Sequence, residues 1–204
     1  MKKFLLIAAA FVLTVFIGKS VYDVVLNARY EPQTGDVIFH ASSSFQSAAI
    51  KLGTLSPYSH CGIVVIKNGN PYVLEAEKGV ELTPMNKWIK RGKLCHHYRV
   101  MRLKDPKQLK LNYSLGGRYD MAFRLNNGKY YCSELVWEVY KKNGVLLCDT
   151  KALNEYHFLY LPFLQKHIKS RGFGMDQQVV APADLVRSSK LRTVSYGYFK
   201  PVWI

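Results

Sequence analysis

The chain predicts an α+β domain, a small antiparallel sheet with helices packed around it, and three observations carry that expectation. Residues 61–66 ("CGIVVI") and 71–76 ("PYVLEA") flank "KNGN", and Asn-Gly between two β-branched or aromatic runs is a strong hairpin signal. Residues 131–144 ("YCSELVWEVYKKNG") set apolar side chains at 135, 136, 139 and 140, one face of a helix. Lys141 and Lys142 suit the negative end of its dipole, and Gly144 ends it. No internal repeat or long linker breaks the 204 residues, a length that one domain with a sizeable core fills.

The remaining elements follow in chain order. "EPQTGDVIFHAS" (31–42) reads as a turn and then a strand over "DVIFHA". "SSSFQSAAIKLG" (42–53) offers serine N-caps and an apolar spacing of Phe45, Ala48, Ala49 and Leu52, a short helix expected to end at Gly53. After the hairpin, "TPMNKWIKRGK" (83–93) gives another short helix with a glycine near its end, and "HHYRVMRL" (96–103) a further strand. Residues 105–130 are polar and Gly-rich around "LGGRYD". Beyond the helix at 131–144 come a helix near 155–170, a helical turn at "APADLV" and a short terminal strand.

Composition narrows the function classes. A chain that is 49% hydrophobic and 13% aromatic is a folded globule, not a disordered tail. Its 29 Lys and Arg against 14 Asp and Glu give a formal charge of +15, a field that favours an anionic membrane or cell-wall polymer as neighbour. Nucleic acid is not expected as a partner, because the basic residues are scattered and form no reader motif. Nothing in the chain speaks to oligomeric state.

Residues 1–27 read as an N-terminal signal peptide or signal-anchor helix, leaving 31–204 as the working domain. Lys2 and Lys3 precede an apolar run from Phe4 to Gly18 that only Thr14 interrupts. The run is short for a span, and Gly18-Lys19-Ser20 is a poor cleavage site, so a cleaved signal and an uncleaved anchor fit about equally. Either places the domain in the cell envelope, tethered by its N-terminal helix or exported to the periplasm or outer face.

The cysteines at 61, 95, 132 and 148 show no C-x-x-C and no regular spacing, which argues against a disulfide scaffold in a chain with its own core. Cys95-His96-His97 resembles a metal cluster only in composition. Successive strand residues point to opposite faces, so no metal site and no cofactor are expected.

Cys132 stands where a helix N-terminus begins, and unpaired N–H groups there stabilise a thiolate. The base must come from elsewhere in the fold. His60 opens a strand between Ser59 and Cys61, with Gly62 nearby expected to leave room for substrate backbone. A two-residue Asn68-Gly69 turn would pair Lys67 with Asn70, setting Glu75 opposite Gly62 and Glu77 opposite His60. Both carboxylates then share the face of His60, and either could orient it; the turn geometry slightly favours Glu77. Cys61 is expected on the opposite face, in the core. A buried cysteine and a hydrogen-bonded strand histidine would give the same pattern without catalysis.

"TGDVIF" (34–39), "YSHCGIVV" (58–65), "PYVLEA" (71–76), "RYD" (118–120), "YCSELVW" (131–137) and "VVAPADL" (179–185) together resemble the YaeF/YiiX group of permuted papain-like amidases, within the NlpC-type cysteine hydrolase superfamily. The resemblance implies a circularly permuted papain-like fold, since His60 precedes Cys132 where papain-type chains have the cysteine first. It implies Cys132 as nucleophile, His60 as base and Glu75 as orienting acid. Asp36 and Tyr119 fall at recurring positions of the group and read as structural supports of the cleft. The segment "LKLNYSLGG" before "RYD" departs from the pattern.

The implied reaction is cleavage of an amide of a peptide, cell-wall peptide or lipid through an acyl-enzyme. A thioesterase or acyltransferase would use the same site on a small-molecule, lipid or peptide ester, and a non-catalytic basic module would keep the fold alone.

Overall fold

The computed structural model describes residues 30–42, 44–92, 97–105, 109–111, 113–157, 162, 165–166 and 172–197. The elements are β1 (Val37–His40), α1 (Phe45–Thr54), β2 (His60–Lys67), β3 (Asn70–Ala76), β4 (Val80–Pro84), α2 (Met85–Arg91), β5 (Tyr98–Leu103) and α3 (Cys132–Lys142). They continue with β6 (Lys151–Ala152), a 3₁₀ turn (Leu153–Glu155), β7 (Gln178–Val179), α4 (Pro182–Val186) and β8 (Leu191–Gly197). Six strands form one antiparallel sheet in the order β4-β3-β2-β1-β5-β8, and β6 pairs with β7 apart from it. The architecture is the α+β one that the sequence predicts.

The hairpin forms as its turn residues dictate. Asn68 (φ 50°) and Gly69 (φ 76°) both take positive φ, and Lys67 pairs with Asn70, with Ile63 opposite Leu74 further in. The edge strand β4 is not among the expected elements: "VELTP" alternates apolar and polar residues, but over only five positions and running into the Thr-Pro expected to begin a helix. Register with β3 supplies it, setting Thr83 against Val73 and Glu81 against Glu75, with Pro84 at the strand's end. Helix α1 starts as expected, Ser44 accepting from the Ser47 N–H at 3.0 Å, but it runs through Gly53. Leu55 takes the left-handed C-cap conformation instead, its N–H reaching the Lys51 carbonyl. The helix expected near 155–170 lies largely outside the described residues.

Both faces of the sheet's centre are covered. On one, Cys61, Ile63 and Val65 of β2 pack with Val37, Phe39 and Leu74 beneath Leu135, Val136, Val139 and Tyr140 of α3. On the other, Ile38, Val64, Val73 and Val100 pack against Met85, Trp88 and Ile89 of α2. This two-sided burial explains why "GIVVI" is apolar without alternation. At about 1.5–3 kcal/mol per buried large side chain, α3 is held chiefly by its inward stripe.

Asp36 joins three elements from the buried start of β1. It accepts from the Tyr30 hydroxyl (2.9 Å), the Gln33 N–H (3.0 Å) and Arg102 Nε of β5 (2.6 Å), while the preceding Gly35 carbonyl accepts from Tyr140 on α3. It is a structural support, as the motif leads one to expect.

The membrane tether expected of residues 1–27 is corrected. Among the described residues no helix is long and apolar enough to cross a membrane, and the leader itself lies outside them, so no anchor is supported.

Gly62 also departs from expectation. A Cβ there would meet Val73 Cγ1 and come within 2.7 Å of the Leu74 carbonyl and 3.4 Å of Glu75 Cβ. The space serves the approach of β3, not a substrate. Gly62→Ala is therefore expected to lower stability by about 1–3 kcal/mol, read as a lower midpoint in urea denaturation with an unchanged slope.

Candidate active site

Glu75 is the most constrained charge at the site. It is fully buried, and four donors from three elements reach it. His60 Nε2 of β2 lies 2.7 Å from Oε2, Thr83 Oγ1 of β4 donates to Oε1 at 2.6 Å, and Trp88 Nε1 of α2 donates to Oε2 at 2.8 Å. Arg91, one turn along α2, pairs with Oε1 and, through its other nitrogen, with Glu77. Burial pushes the carboxyl upward, but the His60 hydrogen bond and charge, then Thr83 and Arg91, outweigh it and hold the group ionised below the ordinary range.

Since Nε2 of His60 faces Glu75, Nδ1 is the nitrogen left for Cys132, with which His60 also shares a hydrogen bond. Burial lowers the imidazole pKa, yet the Cys132 charge and hydrogen bond, followed by those of Glu75, raise it to about 9. His60 is thus an imidazolium at neutral pH.

Cys132 is the first residue of α3. Its N-cap, Tyr131, provides no side-chain cap, and a helix N-terminus left in this state favours an anion. The start of the helix is pinned from "VVAPADL". The Val180 N–H donates to Tyr131 Oη at 3.0 Å, and Ser133 Oγ donates to the Val180 carbonyl at 2.7 Å. The strongest influence on Cys132 is a hydrogen bond from the Cys61 side chain. With the His60 charge and the Cys61 N–H it overcomes burial and holds the thiol well below its usual range. Burial, then the Cys132 hydrogen bond and charge, push Cys61 well upward, so Cys61 keeps its proton and donates it.

Cys61 is a buried core residue on the face opposite His60, as the strand alternation predicts. Helix α3 packs on that same face, which brings the two sulfurs together. Cys132, His60 and Glu75 are brought into one chain of contacts. Glu77 is not part of it, for its half-exposed carboxylate turns to Arg91.

Trp88, Arg91 and His40 are neighbours of the site that a reading of the sequence misses. Trp88 and Arg91 project from one face of α2 at i,i+3 spacing, a signal readable only once β3 is known to lie beneath. His40 pairs with His60 across β1 and β2 and stacks on Trp88, ring centroids 3.8 Å apart at 12°. Burial first, then the charges of His60 and Arg91, keep His40 neutral, and it serves as a wall behind the indole. Tyr119 accepts from Gln46 Nε2 at 3.2 Å. Burial and the nearby Cys132 charge push its phenol well upward, so it borders the thiolate as a neutral group.

An apolar cavity of about 110 Å³ opens against Cys132, lined by Ile50, Phe123, Tyr131, Leu153 and Phe173 among others. Ligand-type oxygens of Glu75, Glu77 and Glu81 lie within 4.8 Å of one another, but Arg91 already engages the first two. Of the Cys95-His96-His97 run, the first two lie outside the described residues, and the His97 ring packs against Tyr58 and Tyr196.

A family model described as permuted papain-like amidase enzyme, YaeF/YiiX, C92 family, matches residues 31–195. The uncharacterized protein YiiX of Escherichia coli (strain K12) is 37% identical over 178 residues, 81% of this chain and 87% of its own length. A crystal structure described as that of metalloprotein yiiX from Escherichia coli O157:H7 superposes with a TM-score of 0.77 at 35% identity, covering 83% of this chain and 99% of that one.

The two thiols should separate sharply in alkylation. Iodoacetamide is expected to label Cys132 at pH 6–7, where an ordinary thiol is slow, and to leave Cys61 unlabelled in the folded protein. Peptide mapping across pH 5–9 reads both, and equal rates at Cys61 and Cys132 would contradict the assignment.

Proposed function

The chain belongs to the YaeF/YiiX family of permuted papain-like amidases, and on that footing we propose that it is a cysteine hydrolase acting through Cys132, His60 and Glu75. The observation that carries this reading is the unbroken run from the Cys132 thiolate through the His60 imidazolium to the buried Glu75 carboxylate.

Cys132 Sγ attacks the carbonyl carbon of an amide, and the oxyanion forms at the N-terminal end of α3, where the Cys132 N–H is placed to receive it. His60 gives its Nδ1 proton to the leaving amine. The neutral imidazole then takes a proton from water, which cleaves the thioester and restores the ion pair. Glu75 acts throughout by holding Nε2–H, which fixes the ring and its tautomer. Peptide, cell-wall peptide and lipid amides all offer the required carbonyl. The apolar cavity against Cys132 favours a substrate whose acyl side is apolar. That preference also suits a thioester or an acyl transfer, where a thiol or alcohol replaces the amine or water.

Turnover of a chromogenic amide or thioester tests the roles. Cys132→Ala and His60→Ala are expected to abolish it. Glu75→Gln should lower it by about 10²–10⁴-fold with the fold retained by circular dichroism, and Glu77→Gln should cost little. A folded Glu75→Gln variant with full activity would reduce the site to a Cys–His dyad.

The pH profile has a definite sign. Raising pH through about 9 removes the His60 proton, so turnover should fall there for lack of a general acid. Alkylation of Cys132 needs only the thiolate and should not fall over the same interval. Parallel loss of both would contradict the ion pair.

A further inference from the structure

We propose that Cys61 is a resolving cysteine, which captures an oxidised Cys132 as a reversible Cys61–Cys132 disulfide and so switches the site off without destroying it. The two side chains come from different elements, β2 and the first turn of α3, and meet in one buried cluster. Cys61 is fully buried and Cys132 is 3% exposed, so neither is screened from the other by water. Helix α3 packs on the face of β2 that carries Cys61, and each of the two thiols acts on the other. Cys132 also lines the cavity of about 110 Å³, which admits an oxidant as small as hydrogen peroxide. Both cysteines are free thiols in this structure.

The chemistry balances with a hydroperoxide as oxidant. The Cys132 thiolate attacks the terminal peroxide oxygen, the O–O bond breaks, and the alcohol or water leaves with one proton. Cys132 is then a sulfenic acid. The Cys61 sulfur attacks the Cys132 sulfur, the S–O bond breaks, and the Cys61 proton departs with the hydroxyl as water. Two thiols and one hydroperoxide give one disulfide, one water and one alcohol, or a second water from hydrogen peroxide itself. A thiolate with no partner beside it continues to the sulfinic and sulfonic acids, which thiol reductants do not reverse. The other described cysteine, Cys148, packs at the margin of the same cluster, its thiol pushed up to about 12 by burial, then by Asp184.

This inference rests on the Cys132 thiolate and not on any substrate, so its test uses alkylation and mass. The full-length reduced protein is treated with a small excess of hydrogen peroxide at neutral pH, quenched with iodoacetamide, and mapped without reduction. The expected result is an intact mass lower by two hydrogens, a Cys61–Cys132 linked peptide, and loss of Cys132 alkylation that dithiothreitol restores. In Cys61→Ser and Cys61→Ala, made in parallel because Cys61 is a core position, the same treatment should give Cys132 sulfinic and sulfonic acids with no recovery. Overoxidised Cys132 beside a free Cys61 in the wild-type protein would overturn the proposal. So would a link from Cys132 to Cys95 or Cys148, a Cys132 inert to peroxide, or equal recovery in the wild type and either folded variant.

Discussion

A carboxylate with no access to water governs this structure. Ionised Glu75 would cost several kcal/mol to bury alone, and the fold keeps it charged only by delivering His60, Thr83, Trp88 and Arg91 to its two oxygens. Those four come from β2, β4 and α2, while Glu75 itself lies on β3. The hairpin register, the edge strand and the short helix must therefore all be in place before His60 has a defined orientation. Gly62 is part of the same constraint, because only a residue without Cβ lets β3 approach at that point.

From Glu75 the charges alternate outward in both directions. The His60 imidazolium leads to the Cys132 thiolate, and the Arg91 guanidinium leads to Glu77 at the surface. Each buried charge thus has an opposite neighbour, which is how a thiolate survives among apolar side chains. The reactive end lies where the two cores meet. His60 comes from the face covered by α2 and Cys132 from the face covered by α3, so neither core alone contains the site. Cys61 belongs to that junction as well, being the residue of β2 turned toward α3 immediately after His60.

Much of this was legible from local pattern. The Asn68-Gly69 turn is enough to specify the β2–β3 register, and with it the shared face of His60 and Glu75, whereas Glu77 falls past the end of β3. The start of α3 at Cys132 followed from apolar spacing. The choice between Glu75 and Glu77 did not follow from the turn, since strand pairing gives the face and not the reach of a side chain. Arg91 draws Glu77 outward, and Trp88 and Thr83 fix Glu75 inward, all from elements outside the hairpin.

The amino-acid order alone established an α+β chain, the hairpin, the nucleophile's helix and the motifs by which the chain resembles its family, because each rests on neighbours within about twenty residues. Contacts between distant segments were left to the folded molecule. These are His40 stacked on Trp88, β4 recruited to the sheet edge, Val180 holding the start of α3, and Cys61 set against Cys132 across 71 positions of chain. Periodicity tells which face a residue occupies, whereas the element that covers that face is chosen by packing of the whole core.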